Sequence, residues 1–216
     1  IENLKQISFN NLNSNYTIPM LLGDYKSAIH LKIADKAIEE NDFIIIAPGS
    51  GIQEASKRWP VCNYAELINM IISKNPNMYV HIIGDSNEAE LIKQIAQLIY
   101  SSYPNSRPFL KLYPGLLSWE DLFSQISKAK LLIANCNGFT HLASLMDIKI
   151  LGLYGPTNSV ITGPYSSNFR AVKLGLNCSP CYTYHEKPPI KCEAPACMQQ
   201  LSPSLVFDAV ESILRS

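Results

Sequence analysis

The sequence predicts an α/β fold built on a parallel sheet, Rossmann-like in layout. Three observations carry this expectation. Apolar runs of strand length recur five times, each closing on Gly, Pro, Asn or Asp. Segments with helical apolar spacing lie between them. The runs are apolar throughout rather than alternating, which marks strands covered on both faces. In such sheets ligands collect beyond the carboxyl ends of the strands.

Each element has its own justification. Residues 1–27 are polar, Asn-rich and weakly patterned, and read as a linker or the remnant of a preceding unit. AIHLKIADKAIEE (28–40) carries helical spacing. The folded domain is expected over 41–216, with 1–40 outside it. FIIIAPGSG (43–51) is a buried strand ending in a Pro/Gly turn. NYAELINMIISKN (63–75) is an amphipathic helix with Asn63 as its cap. MYVHIIGDS (78–86) is the next strand and NEAELIKQIAQLIYSS (87–102) the next helix. FLKLYPGL (109–116) is a third strand. Ser118 and Asp121 then resemble a capping box before a helix. KLLIANC (130–136) is a fourth strand, FTHLASLMD a helix, and KILGLYGP (149–156) a fifth strand. A short strand is expected around AVKLGL (171–176). SPSLVFDAVESILRS (202–216) closes the chain as a helix, with Ser202 as cap and Pro203 at its first position.

Composition bounds the function. The chain has 216 residues, 47% of them hydrophobic, with 18 basic and 18 acidic side chains. A balanced charge argues against a nucleic-acid groove, which needs a basic excess. The longest apolar runs are too short to span a bilayer as a helix. No basic start followed by an apolar core resembles a signal peptide.

The turns at the strand ends supply the candidate chemistry. PGSG (48–51) allows close approach of a ligand to backbone N–H groups. Ser50 adds a hydroxyl, and Lys57 and Arg58 add cations. Together these fit a diphosphate, although the spacing matches neither a Walker loop nor GxGxxG. A plain surface loop is the competing reading. Trp59 and Pro60 read as packing for that loop. In NCNGFTHLA (135–143), Gly138 and His141 fall at a helix start, where free amides and the helix dipole favour an anion. A histidine that merely caps the backbone fits equally well. Glu88 and Glu90 follow a strand end, where a carboxylate can accept from a ribose diol. Helix-start carboxylates favoured by the dipole are the alternative.

Four of the six cysteines cluster: Cys178, Cys181, Cys192 and Cys197, spaced C-x2-C-x10-C-x4-C. Such spacing suits tetrahedral zinc or iron, with His185 able to replace a weak ligand. Two disulfides or four free thiols are the competing readings. In any of these cases the loop 178–197 pins a segment beside the cleft.

The order of motifs is itself informative. PGSG…SKRWP, GDSNEAE, NCNGFTHLA, LGLYGPTNSVITGP and CSPC…CM together resemble the C-terminal half of glycosyltransferase family 9, the heptosyltransferases, over roughly residues 43–201. The resemblance implies the C-terminal, donor-binding lobe of a two-lobed GT-B fold. It implies transfer of heptose, or a related sugar, from a nucleotide-sugar, expected to be ADP-heptose, onto lipopolysaccharide or another glycan or protein acceptor. Inversion at the anomeric carbon is implied, with no catalytic cofactor. Ser50, Gly51 and Lys57 would face the diphosphate, and Glu88 or Glu90 the ribose. Asn137, Gly138 and His141 would line the sugar end, with Tyr154 to Thr157 shaping the cleft. A bacterial, cytoplasmic protein is implied, peripheral on the inner membrane or free of it.

Two departures from the family pattern stand out. Its knot commonly reads N-D-T-G-x-x-H, whereas Cys136 stands at the acidic position here. A neutral thiol bonds weakly, so a charged hydrogen bond worth about 1.5–3 kcal/mol is replaced. Altered sugar choice or reduced activity follows. The lobe that carries the family's proposed general base is not matched in this chain. The expectation is therefore a donor-binding piece of a longer chain, or a protein completed by another subunit or by oligomerisation. A non-catalytic sugar-nucleotide-binding or assembly module with a metal-pinned loop is the competing function.

Overall fold

The computed structural model describes residues 42–51, 54–182, 192 and 194–216. The expected linker and helix over 1–40, and His185 in the cysteine loop, lie outside these residues. The described chain alternates strand and helix. In order these are β1 (Phe43–Ala47), α1 (Val61–Lys74), β2 (Tyr79–Gly84), α2 (Ala89–Ser102), β3 (Leu110–Pro114), α3 (Trp119–Lys128) and β4 (Leu132–Asn135). There follow α4 (Gly138–Leu145), β5 (Ile150–Leu153), α5 (Ser159–Thr162), β6 (Phe169–Val172), α6 (Ala196–Gln199) and α7 (Pro203–Arg215).

All six strands are parallel and stand in the order β3-β2-β1-β4-β5-β6. This is the doubly wound arrangement. The chain winds outward from β1 in one direction, returns, and winds outward from β4 in the other. The reversal lies between β1 and β4, which pair from Ile45↔Leu132 to Ala47↔Ala134.

The β1 run FIIIA explains how both faces are covered. Side chains alternate across a strand, and here every one of the five is buried. Ile44 and Ile46 enter one core with Leu67, Ile71, Ile95 and Val210, under α1, α2 and α7. Phe43, Ile45 and Ala47 enter a second core with Ile126, Ala143 and Met146, under α3 and α4. No polar position on β1 faces solvent, so this strand must lie in the middle of the sheet.

Helix ends follow local chemistry with instructive differences. α7 is capped as its sequence predicts: Ser202 Oγ accepts from the Leu205 N–H at 3.2 Å. Ser118 does the same for α3, accepting from Asp121 N at 3.1 Å. α1 begins two residues before its expected cap. Pro60 is extended (ψ 141°) and its ring fixes φ for entry into the helix. Asn63, the expected cap, sits inside the helix and donates to the Leu201 carbonyl at 3.2 Å, fastening α1 to the start of α7. β6 lies a little earlier than expected, at 169–172. Among the described residues it is an edge strand with a single partner, and Leu174 and Leu176 continue past it, packing on the core without strand pairing.

Candidate functional site

A cleft of about 1060 Å³ opens at the carboxyl ends of β1, β2, β3 and β4. The loop after β1 contributes Ser50, Gly51 and Arg58, and that after β2 contributes Gly84 to Glu88. Gly115, Leu117 and Trp119 come from beyond β3, and Asn137, Gly138 and Phe139 from beyond β4. The cleft therefore straddles the switch point, where doubly wound sheets bind their ligands.

Asn135, the last residue of β4, is fully buried and holds this rim together. Its amide Nδ2 donates to the carbonyls of Pro48 (2.6 Å) and Gly49 (3.3 Å) in the loop after β1. Its Oδ1 accepts from the Tyr64 hydroxyl (3.0 Å) and from Trp59 N (3.3 Å). Burial pushes the Tyr64 phenol far above its ordinary pKa, so it stays a donor. Asn137 repeats the pattern one turn outward. Its Nδ2 donates to Gly49 O (3.0 Å) and Ala47 O (3.3 Å), while Oδ1 caps α4 by accepting from Phe139 N (3.0 Å). Its side chain is thus committed to shaping the loop, and the helix start behind it faces the cleft. A Cβ added at Gly138 would meet no heavy atom within 4 Å, so the backbone there is open to an incoming group.

The loop after β1 separates its two cations. Arg58 lines the cleft, with Nε donating to Ser50 Oγ (3.1 Å) and its terminal nitrogen to Ser50 O (3.2 Å). Ser50 is buried, and its hydroxyl donates to the Glu54 carbonyl at 2.9 Å. It acts as the anchor of Arg58. Lys57, expected to face the diphosphate, is buried beside the cleft wall, ion-paired to Glu54 and lying 4.7 Å from the Tyr182 ring centroid. Gly51 is exposed on the cleft wall.

Of the two candidate ribose carboxylates, the fold brings Glu88 to the cleft. Asp85 caps the short turn Ser86–Glu88 by accepting from Asn87 N (2.8 Å) and Glu88 N (3.0 Å), and Glu88 Oε2 accepts in return from Asp85 N (3.1 Å). The other face of the carboxylate rests on Gly49, where an added Cβ would fall 1.5 Å from Oε1. A side chain at position 49 would therefore displace the Glu88 carboxylate from this place. Burial raises the Glu88 pKa, with the Asp85 amide and the Arg58 charge opposing this. Glu90 is exposed on α2 with Lys93 3.8 Å away, and is not part of the cleft wall. Gly115, at φ 64°, makes the turn after β3; a Cβ there would meet Ser86 N at 2.8 Å.

The remaining candidates lie around the cleft. His141 is exposed on α4 and is not among the cleft-lining residues. Thr157 is buried in the turn after β5, and its hydroxyl has no hydrogen-bond partner among the described residues. Cys136 is half-buried with Sγ 3.3 Å from Thr162 Oγ1. Residues 178–182, at the start of the cysteine loop, fold onto the turn after β5. Ser179 Oγ donates to Gly155 O at 2.5 Å, and the amides of Cys181 and Tyr182 donate to Pro156 O. Cys197 is buried, and its sulfur leaves 2.7 Å to where a Cβ at Gly155 would stand. Burial raises the thiols of Cys181 and Cys197, and neighbouring thiols of the cluster add to this. Among the described residues no three His, Cys, Asp or Glu side chains are arranged to hold a metal, and no cysteine is in a disulfide.

Sequence reasoning passed over Asn135, Asp85 and Trp119. Asp85 was recoverable, since D-x-x-E before a helix is a capping pattern. Asn135 left no such signal, because its partners lie 71 to 87 residues away.

Fold and cleft together define a doubly wound α/β domain with an open cleft at its switch point. The profile described as Glycosyltransferase family 9 (heptosyltransferase) matches residues 15–190, and the chain belongs to that family. Over 216 residues it is 26% identical to lipooligosaccharide heptosyltransferase 2 of Campylobacter jejuni, a match covering 99% of this chain and 64% of the relative. The fold matches that of Escherichia coli ADP-heptose LPS heptosyltransferase II with a TM-score of 0.67 at 21% identity, over 89% of this chain and 51% of that one. It also matches the iron-containing dodecameric glycosyltransferase TibC of enterotoxigenic E. coli with a TM-score of 0.61 at 16% identity, over 83% and 47% of the two chains. The chain thus spans about half the length of these structures. Among the described residues no helix is long and apolar enough to cross a membrane.

Replacing Asn135 with Ala leaves at least two buried groups unpaired, at about 1–3 kcal/mol each. Urea unfolding of Asn135→Ala is expected to show a loss of about 2–6 kcal/mol; a change under about 0.5 kcal/mol would contradict the assigned role.

Proposed function

We propose that this chain is the donor-binding lobe of an inverting glycosyltransferase that takes a heptose, or a related sugar, from ADP-heptose. The observation that carries the reading is the meeting, at one switch-point cleft, of an anchored arginine, an open helix start and a buried carboxylate. Arg58 and the amides at Gly138 face the diphosphate, and Glu88 faces the ribose diol. Charge develops on the diphosphate as the glycosidic bond breaks, and preorganised donors stabilise it there more than in the ground state. The acceptor hydroxyl, on lipopolysaccharide or a related glycan, attacks the anomeric carbon from the opposite side. Its proton passes to a base on the second lobe of the GT-B pair, outside residues 42–216. No cofactor enters this chemistry. Lys57 acts through its neighbours: paired with Glu54 and covered by Tyr182, it fixes the loop that carries Arg58. Such a protein works on the cytoplasmic side, where nucleotide-sugars are made.

The cysteine cluster is assigned a structural role. Four thiols have the donor chemistry for iron or zinc, although among the described residues no three metal-ligating side chains close around one point. TibC, a fold neighbour, is described as iron-containing. A metal held there would order the segment covering the turn after β5. Elemental analysis of the purified chain is expected to give close to one iron or zinc per chain, lost in a Cys178→Ser, Cys181→Ser variant; a metal-free, fully folded protein would remove the site.

Calorimetry with ADP tests the donor site. Losing one charged hydrogen-bonding partner costs about 1.5–3 kcal/mol. Arg58→Ala is therefore expected to weaken ADP about 10- to 100-fold, and Lys57→Ala by less. A larger loss from Lys57→Ala, or none from Arg58→Ala, would reverse the assignment.

A further inference from the structure

The chain has two tryptophans, and they sit in opposite settings. Trp59 is buried, its indole N–H donating to Leu201 O at 2.8 Å and its ring set edge-on to Tyr64. Trp119 is 65% exposed and lines the cleft. It is the first residue of α3, held by the Ser118 cap, and its nearest ring is Phe123 at 6.0 Å. An indole is a large apolar surface, and leaving most of it in water forgoes stabilisation that burial would supply. An uncovered indole in a cleft wall is therefore suited to receive a flat apolar group.

The strand order says which group. From one end to the other the cleft crosses the turns after β3, β2, β1 and β4. Three inter-strand spacings amount to about 14 Å, enough to lay out an extended nucleoside diphosphate. The diphosphate is assigned to the β1 and β4 end, and the ribose to Glu88 beyond β2. The base then falls beyond β3. There the wall is Leu117, Trp119 and Leu122, without a charged side chain among them.

We infer that Trp119 stacks on the nucleobase and sets a preference for purine over pyrimidine nucleoside diphosphates. Stacking grows with the overlapping ring area, so the two-ring base gains more from the indole face than the one-ring base. The inference rests on the nucleotide-binding reading above and adds to it the residue that reads the base.

The test uses the full chain, with ADP, UDP and inorganic pyrophosphate as probes. Saturating ADP is expected to change the emission of the exposed tryptophan, since Trp59 is shielded. In Trp119→Leu the ADP affinity is expected to fall about 5- to 100-fold, the scale of one stacked base, and the ADP-over-UDP preference to shrink. Pyrophosphate affinity should be unchanged, and Trp119→Phe should recover part of the ADP affinity. If Trp119→Leu binds ADP as wild type does, or if wild-type emission is unaltered at ADP saturation, the stacking assignment is overturned while the diphosphate site stands. If wild-type protein binds neither ADP nor pyrophosphate, the nucleotide reading fails and the assignment with it.

Discussion

Two parallel strands that run side by side but are wound in opposite directions leave a gap between their exit loops. The loops must diverge, yet both carry backbone carbonyls that need partners. Asn135 answers this constraint. A buried primary amide has two donors and an acceptor that takes two bonds. Here the donors go to Pro48 and Gly49 beyond β1, and the acceptor takes the Tyr64 hydroxyl and the Trp59 amide. One side chain thus joins β4, the loop after β1 and the start of α1. The position of Arg58, one residue before Trp59, follows from it. So does the alignment of the α4 start, three residues beyond Asn135, with the same loop.

The electrostatics of the cleft follow from this geometry rather than from overall charge. The chain is neutral by composition, yet Arg58 and the α4 amides gather at one end, and the Glu88 carboxylate, brought in by the loop after β2, rests against Gly49 of the loop after β1. The loop after β1 divides its two adjacent cations by partner. Glu54 and the Tyr182 face take Lys57, and Ser50 steadies Arg58 against the cleft. The Tyr182 contact also links the cysteine loop to that part of the molecule, since the Tyr182 amide is bonded to the turn after β5. A structural element some hundred residues downstream in sequence is therefore in direct contact with the loop that presents Arg58.

Much of the fold was legible because it depends on local pattern. Continuous apolar runs mark two-face burial, and FIIIA behaves in the structure as its composition requires. Caps such as Ser118 and Ser202 were readable for the same reason: their partners lie three residues away. The site was legible as a set of turns but not as a set of orientations. PGSG, GDS and NCNG are indeed the loops that converge, yet sequence favoured Lys57 over Arg58 and left Glu88 and Glu90 level. Which of two adjacent cations turns inward depends on Glu54 and on Tyr182, the latter 125 residues further along the chain. Glu88 is distinguished from Glu90 by the missing side chain of Gly49, on another strand's loop. Neither relation has a sequence period.

Membership of glycosyltransferase family 9 and the architecture of the cleft meet at one testable place, the rim between β1 and β4. A crystal structure of the protein with ADP examines it most directly. The account predicts a diphosphate lying over the Gly138 backbone with Arg58 within hydrogen-bonding distance. A nucleotide bound with its phosphates away from that rim, with Arg58 still engaged only by Ser50, would contradict it.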